Sequence, residues 1–393
     1  MTVDETAQGG KSLPVILALG TTQTIAWASS YYLPAILAAP IARDLGITAT
    51  VVFAALSAAL VIAGLLGPRV GHVIDTVGGR GVLAISNLVL ASGLAILSVS
   101  HGLVGLSIAW LLLGVGMGMG LYEAAFATLT RIYGTAARRP ITGITLIAGF
   151  ASTVGWPAST WLDVEFGWRV ACQVWALVHL ALALPLNLLL PRADALPVAS
   201  NTSGAPTATA RSETFAMIAL AYIFAATGFV SSGLSALLPT MLVQFGATPS
   251  AALFAGMLIG PSQVAARIIE AGWLVRYHPL ISARLATLTN PLGVIALALG
   301  GPIFSPVFAV FYGAGNGILT IARGTLPLAL FGPQGFGRRV GVISLPARAT
   351  GALAPLAIGL MVEHIGTATL WVSALASLSA FAVLMMLHGK QPA

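Results

Sequence analysis

The sequence predicts an all-α membrane protein of twelve transmembrane helices arranged in two six-helix bundles. Composition is the first reason: of 393 residues, 58% are hydrophobic and only 7% are charged. A soluble domain carries about 25% charged residues, and the mean hydropathy of +0.95 also favours a chain that lies in a bilayer. The second reason is an internal repeat with a period of about 200 residues, which predicts two similar halves.

The predicted spans follow from the length that a helix needs to cross a bilayer. About 20 mainly apolar residues are required, because each residue advances the helix by about 1.5 Å. Twelve stretches meet this requirement. They are residues 13–38, 49–70, 81–100, 103–130, 140–162, 170–190, 215–238, 250–273, 282–300, 303–330, 340–361 and 367–387.

The basic residues predict the orientation of these spans. An even number of spans places both termini on one side, and Lys and Arg collect on the cytoplasmic side of membrane proteins. With cytoplasmic termini, the outer loops hold only Arg43 and Arg169. The inner segments then hold Lys11, Arg69, Arg80, Arg131, Arg138, Arg139, Arg192, Arg211, Arg276, Arg284, Arg338, Arg339 and Lys390. This bias predicts a multi-pass protein of a bacterial-type inner membrane with both termini in the cytoplasm.

Residues 191–214 are rich in Pro, Ser, Thr and Gly and divide the spans six and six. Such a composition predicts a flexible cytoplasmic linker between a first bundle, residues 1–190, and a second bundle, residues 215–393. Matching features on the two sides support this division, for example Pro157 and Pro355 at an offset of 198. Two halves repeated in the same orientation are typical of many secondary transporters.

The most informative part of the repeat is a glycine run in the fourth and tenth spans. Glycines recur at 114, 116 and 118, and again at 313, 315 and 317. Close helix packing is the simplest role for them, with direct ligand contact as the alternative. Near these glycines the first half carries Glu123 and the second half carries Arg323. A charge at membrane depth is costly and usually faces a cavity or a partner, so a polar site between the halves is expected.

The loop after the second span contains Gly71, Asp75, Gly78 and Arg80 in the order G-x-x-x-D-x-x-G-x-R. This pattern partly resembles the signature loop of the major facilitator superfamily, with Thr76 and Gly79 standing where the signature has basic residues. The resemblance covers the whole chain and implies that Asp75 and the loop's basic residues latch the two halves on the cytoplasmic side. The alternative is a solvated loop with turn glycines.

The same resemblance implies that spans one, four, seven and ten line a central cavity. Glu123 and Arg323 would then lie at that cavity, flanked by Arg348 and Arg267, all about 10 Å inside the cytoplasmic boundary. Two interpretations remain open. Either Arg323 and Arg348 bind an anionic solute while Glu123 takes up a proton, or the charges form a structural gate.

Neutral polar residues add further candidates. Span one is too polar for a helix that faces only lipid, and Gln23, Trp27 and Tyr31 are spaced by four residues, which predicts one shared face towards the cavity. Asn316 in span ten is a cavity candidate or an interhelical hydrogen-bonding residue. Arg267 and Glu270 are three residues apart and can meet on one helix face, where a structural role is expected.

These features predict a secondary transporter that moves a small solute by alternating access. The expected mode is proton-coupled efflux of an anionic or amphipathic compound such as a drug, since residues 149–157 resemble the family's glycine-rich antiporter motif. Residues 20–34 and 322–332 also resemble bacterial members associated with arsenical efflux, but Cys172 is the only thiol that could bind arsenic. The alternatives are uptake of a monocarboxylate-like anion and a membrane sensor that does not transport.

The sequence also excludes several classes. It contains no Ser/His/Asp order, phosphate loop or metal-ligand cluster, so no enzyme site, cofactor or metal is expected. The net charge of +7 comes from basic residues scattered singly or in pairs between apolar runs, which argues against a nucleic-acid partner. The expected partners are the solute, protons and the lipid bilayer, with the protein acting as a monomer.

The orientation can be tested with a cysteine placed in the predicted linker. A Ser203→Cys variant should be protected from a membrane-impermeant thiol reagent in intact cells and should react after the cells are opened. Labelling of intact cells at this residue would reverse the predicted topology.

Overall fold

The computed structural model describes residues 3–192 and 208–388. Both ranges are helical apart from short connections, and no β-strand occurs within them. Ten stretches of these residues are long and apolar enough to cross a membrane. Two of the ten, Leu103–Phe166 and Pro279–Phe331, each contain two of the predicted spans, so the helices are consistent with twelve crossings.

The first six predicted spans are formed by ten α-helices, several of which share a span. They are α1 (Val3–Ser29), α2 (Pro34–Leu45), α3 (Ala49–Val77), α4 (Gly79–Ser98), α5 (Leu103–Gly120), α6 (Tyr122–Tyr133), α7 (Arg138–Ala148), α8 (Ala151–Phe166), α9 (Trp168–Val178) and α10 (Leu184–Leu188). A π-helical turn, His179–Ala183, joins α9 to α10.

The last six predicted spans each correspond to one continuous helix. They are α11 (Ala208–Gln244), α12 (Pro249–Gly272), α13 (Pro279–Gly300), α14 (Ser305–Phe331), α15 (Phe336–Ile365) and α16 (Ala368–Met386). Most of the predicted linker at 191–214 lies outside the described residues, but its last part is helical from Ala208 onward. Ala, Arg and Glu in this part are good helix formers, and hydropathy alone does not mark such a polar helix end.

By their contacts, the described residues form two compact units. The first unit contains residues up to 192 together with Pro333–Val342, and the second contains residues 208–332 and 343–388. The first turns of α15 are therefore part of the first unit. The boundary predicted at the linker assigns Pro333–Val342 to the second half, because it follows chain order. The structure assigns this segment to the first unit by its contacts.

The repeated glycines pack helices closely in each unit. A Cβ atom on Gly114 would lie 2.7 Å from the Ala59 carbonyl oxygen of α3, and one on Gly313 would lie 2.7 Å from the Ile259 carbonyl oxygen of α12. Gly116 and Gly315 turn instead towards α4 and α13, where a Cβ atom would collide with Leu90 and Thr289 respectively. These close approaches confirm that the glycines are packing surfaces.

The π-helical turn aligns two polar residues of the sixth span with the first span. Thr22 Oγ1 bonds Asn187 Oδ1 at 3.1 Å, and Ser29 Oγ bonds His179 Nε2 at 2.7 Å. The partners on α1 are seven residues apart, two helical turns, whereas those on the sixth span are eight apart. The π turn accommodates the additional residue, so both side chains of the sixth span reach α1.

Packing at the glycine run can be tested with one matched pair of substitutions. Gly114→Ala should lower the thermal unfolding midpoint of the purified protein, because its Cβ would meet backbone atoms of α3 that cannot move aside. Gly81→Ala is the control, since Gly81 lies inside α4 with no atom within 4 Å of an added Cβ. Alanine there should leave stability unchanged or raise it by about 0.5–1 kcal/mol. Equal effects of the two substitutions would contradict the packing role.

Candidate functional site

The fourth span is interrupted beside its carboxylate. The sequence suggested one continuous helix over residues 103–130, but α5 ends at Gly120 and α6 begins at Tyr122, with Leu121 extended (φ −83°, ψ −171°) between them. Glu123 therefore lies in the first turn of α6 and is half-buried. The amino end of a helix favours negative charge, so the interruption provides a favourable electrostatic environment for a carboxylate inside the membrane.

Gln23 contributes a hydrogen bond to this interruption. Its Nε2 donates to the Gly120 carbonyl oxygen at 2.6 Å, and the side chain is only 1% exposed. The last carbonyls of a helix lack intrahelical partners, and a bilayer offers no water to replace them. The amide of Gln23 thus stabilises the end of α5 rather than facing an open cavity.

Aromatic rings surround the interrupted helices of the first unit. The ring centroid of Trp27 lies 5.2 Å from that of Tyr31 and 5.0 Å from that of Tyr122, the neighbour of Glu123. We call the connected set the aromatic cluster. Its members are Trp27, Tyr31, Tyr32, Tyr122, Phe126 and Trp156. These rings come from spans one, four and five, each of which is interrupted near the cluster.

The rings of Trp27 and Tyr31 are in contact, but the two residues do not share a helical face as predicted. A spacing of four residues implied one helical face, whereas α1 ends at Ser29 and Tyr31 lies in the connection to α2. Sequence reasoning did not select Tyr122, Phe126 or Trp156 as site residues. The only sequence signal for Tyr122 was that it directly precedes Glu123.

A directional hydrogen-bond chain holds the end of α1 next to the aromatic cluster. Asn87 Nδ2 donates to the Leu83 carbonyl oxygen at 2.8 Å, so its Oδ1 accepts from His179 Nδ1, 2.8 Å away. His179 Nε2 is then the acceptor for the Ser29 hydroxyl. Ser29 and His179 are completely buried. The histidine is consequently a hydrogen-bonded structural residue that connects spans one, three and six.

The signature loop meets the first turn of α15 inside the first unit. The Asp75 carboxylate accepts hydrogen bonds from the backbone N–H groups of Gly337 and Arg338, both at 2.8 Å. Gly71 makes this approach possible, because a Cβ atom there would overlap the Gly337 carbonyl. A carboxylate at the amino end of a helix satisfies free N–H groups and interacts favourably with the helix dipole.

The rest of the loop is held by a residue that was not among the predicted site residues. The Arg131 guanidinium on α6 donates to the carbonyl oxygens of Asp75 and Thr76 at the end of α3. Gly78 follows with φ +104°, a conformation that glycine adopts without strain. Arg80 lies in the first turn of α4 and is half-buried. In the sequence, Arg131 differed from the other cytoplasmic arginines only in its proximity to Glu123.

In the second unit, Arg323 lies where three helices approach each other. A Cβ atom built on Gly228 of α11 would be 3.4 Å from Arg323 Nη2 and 3.5 Å from the Ala347 carbonyl oxygen of α15. Gly228 therefore leaves room for the guanidinium. Arg323 and Arg348 are both half-buried, on α14 and α15 respectively. Asn316 is also half-buried and lies two helical turns before Arg323 on α14.

Arg267 and Glu270 are more deeply buried, with exposures of 5% and 1%. Arg267 Nε donates to the Gly317 carbonyl oxygen at 3.4 Å, and its Nη2 lies 3.5 Å from Thr320 Oγ1. These contacts join α12 to α14, so Arg267 contributes to helix packing within the second unit. Across the described ranges, no group of three His, Cys, Asp or Glu side chains could hold a metal ion.

Comparison with known proteins gives the family. The sequence model described as Major Facilitator Superfamily matches residues 19–311. No curated protein was found to match the sequence. The chain is similar in structure to the human organic anion transporter MFSD10 (TETRAN), with a TM-score of 0.72 and 15% identity, over 95% of this chain and 99% of that chain.

Two further solved structures are similar. The proton:xylose symporter XylE bound to 6-bromo-6-deoxy-D-glucose has a TM-score of 0.74 and 12% identity, over 96% of this chain and 95% of that one. The E. coli fucose:proton symporter FucP has a TM-score of 0.71 and 16% identity, over 96% of this chain and 100% of that one. Such identities establish a common fold only. The family match covers well over half of the chain, and with the apolar helices it shows that this multi-pass membrane protein belongs to the major facilitator superfamily, whose members are transporters and not enzymes.

Proposed function

We propose that this transporter is driven by protons and exports a small anionic or amphipathic organic compound from the cytoplasm. The observation that carries the proposal is the placement of Glu123. It is a half-buried carboxylate in the first turn of an interrupted membrane helix, directly after an aromatic residue that packs on Trp27. A carboxylate with partial access can exchange a proton, and aromatic rings can bind the apolar part of a solute.

The charge of the proposed solute rests on Arg323. Its guanidinium is half-buried in a space left by Gly228, and an arginine binds carboxylates with paired hydrogen bonds. Arg348 is a second candidate for the same role. The contacts of Arg267 with α14 favour a structural role for Arg267 and Glu270 instead.

Export and an inner-membrane location with cytoplasmic termini are the parts that rest most on sequence. Residues 149–157 resemble the family's antiporter motif. Here the fifth span is interrupted at Gly149 and Phe150, and Trp156 packs on Tyr32 with ring centroids 6.1 Å apart. The comparisons do not support the arsenical branch, and we do not propose it.

Uptake of a monocarboxylate-like anion is the alternative, since two of the similar structures are those of proton symporters. Export and uptake predict opposite results in membrane vesicles of defined orientation.

An exporter should concentrate its solute in inside-out vesicles with an acidic lumen, whereas a symporter for uptake should do so in right-side-out vesicles with an acidic exterior. Thermal-shift screening against small organic acids and amphipathic drugs would first identify the solute. A solute that binds without moving into either vesicle type would indicate a sensor.

Glu123→Gln tests the coupling. The amide preserves the shape of the side chain but cannot exchange a proton at this site. In liposomes the variant should exchange solute at equal pH at a rate close to that of the unchanged protein, and it should fail to accumulate solute when a pH gradient is imposed. Glu165→Gln is the control, because that carboxylate is exposed near the end of α8. If Glu123→Gln accumulates solute normally, the proton site lies elsewhere, and Glu270 is the next candidate.

Asp75→Asn tests the gating role proposed for the signature loop residues Gly71, Asp75, Gly78 and Arg80. The substitution removes the charge that strengthens two hydrogen bonds to the first turn of α15. Such bonds contribute about 1.5–3 kcal/mol each, so the transport rate should change by about tenfold or more while the amount of folded protein stays normal. Asp44→Asn removes an exposed carboxylate paired with Arg169 and should leave transport unchanged. Unchanged transport in Asp75→Asn would show that these two hydrogen bonds have no gating role.

A further inference from the structure

A small polar cavity lies inside the second unit, between α11, α13, α14 and α16. It has room for one water-sized group, about 10 Å³. None of the described residues that line it carries a charge, so it does not suit a free anion. Its polar lining comes mainly from side chains with hydroxyl or amide groups, namely Thr227, Thr287, Thr289, Asn290, Asn316 and Ser377.

The lining hydroxyl groups have already donated their hydrogen atoms. Thr227 donates to the Ile223 carbonyl oxygen at 2.7 Å, and Thr289 donates to that of Ala286 at 2.8 Å. Thr287 and Ser377 bond carbonyls of their own helices in the same way. Tyr312, which also lines the cavity, donates to the Ser231 carbonyl oxygen at 2.8 Å. A bound group would therefore meet these oxygens only as acceptors.

Asn290 leaves a buried acceptor at the cavity. Its Nδ2 lies 3.3 Å from Ser373 Oγ and 3.1 Å from Ser377 Oγ, and both serines donate their own hydrogen atoms to backbone carbonyls. The amide must therefore be the donor towards these serines, which fixes its orientation. Its Oδ1 has no hydrogen-bond partner among the described residues, although Asn290 is only 6% exposed. A buried acceptor without a donor is costly.

Asn316 supplies the complementary atom. Its Nδ2 is buried and has no hydrogen-bond partner within the described part of the chain. The cavity thus combines one unused acceptor with one unused donor. A hydroxyl group satisfies both, because its oxygen accepts from Asn316 and its hydrogen donates to Asn290. A carboxylate cannot donate to Asn290, and an ammonium group cannot accept from Asn316.

We infer that this cavity binds an aliphatic hydroxyl group of the transported solute, with Asn290 as its acceptor and Asn316 as its donor. The inference rests on the proposed function, in which Arg323 binds the anionic group of the same solute. Thr227, which lines the cavity, directly precedes Gly228, against which Arg323 lies. Asn316 and Arg323 are seven residues apart on α14 and share a face, about 10 Å apart along the helix. The substrate class is a hydroxylated organic anion with these two groups at opposite ends.

Matched carboxylates test this inference directly. The probes are octanoate, 8-hydroxyoctanoate and 8-methoxyoctanoate, with the corresponding four- and six-carbon acids, titrated into the full-length protein in lipid nanodiscs. At the chain length that fits, the hydroxy acid should bind about tenfold more tightly than the parent acid. The methoxy acid should lose most of this gain, because an ether oxygen cannot donate to Asn290.

Asn316→Leu is the informative variant, since the side chain is half-buried and its amide nitrogen has no partner among the described residues. It should bind the parent acid normally and lose the preference for the hydroxy acid. Asn290→Leu removes the acceptor and should also lose the preference for the hydroxy acid. Thermal unfolding midpoints would show that both variants are folded.

The outcomes separate this inference from the proposed function. If parent and hydroxy acids bind equally well at every chain length, the cavity holds only a water molecule and the inference is wrong. If Arg323→Gln leaves binding of the parent acid unchanged, the anion site of the proposed function is wrong instead. Failure of all the acids to bind would count against both.

Discussion

The constraint on which this structure depends is that a bilayer provides no water for unpaired backbone groups. A continuous helix satisfies this constraint with its own backbone hydrogen bonds. In the first unit, several helices are interrupted within the predicted spans, so side chains must bond the backbone groups that the interruptions leave unpaired. Gln23 donates to the final carbonyl of α5, within the fourth predicted span. Helix ends outside the predicted spans are also held by side chains, since Arg131 donates to the carbonyls of Asp75 and Thr76 at the end of α3. Asp75 performs the complementary task for two N–H groups at the beginning of α15. Side chains therefore satisfy backbone groups at several of the described helix ends.

The two units use one packing scheme and differ where chemistry is expected. In both, a helix with glycines at alternate residues approaches two neighbouring helices, α3 and α4 in the first unit and α12 and α13 in the second. Beyond the glycines the units diverge. The first interrupts its helix and places Glu123 after the break, whereas α14 continues without interruption through Arg323. Helix packing constrains the glycines in both units, and it leaves the residues that follow free to differ.

Much of the fold could be predicted from the sequence, because a run of about 20 apolar residues indicates a membrane-spanning helix wherever it lies in the chain. The glycines at 114–118 and 313–317 could be assigned to packing for a similar reason, since only close helices require them. The interruptions could not be predicted. The carbonyl at the end of α5 is satisfied by the amide of Gln23, nearly 100 residues earlier, and a local sequence pattern does not indicate such a contact. The same holds for the π-helical turn, whose additional residue is useful only because α1 presents two polar partners.

The candidate site was predicted less completely than the fold, and the intramembrane charges show why. By composition and depth, Arg267 and Arg323 are alike, as single arginines in apolar helices, and only the family resemblance and the nearby Glu270 distinguished them in the sequence. In the structure, Arg267 is 5% exposed and contacts α14, whereas Arg323 is half-buried in a space created by Gly228. A charge enclosed by its own bundle is stabilised by protein groups and is poorly placed to exchange partners during a transport cycle. A charge that keeps partial access can bind and release a ligand. Burial therefore separates packing charges from candidate binding charges, and among the four charges first grouped by depth it favours Glu123, Arg323 and Arg348 over Arg267.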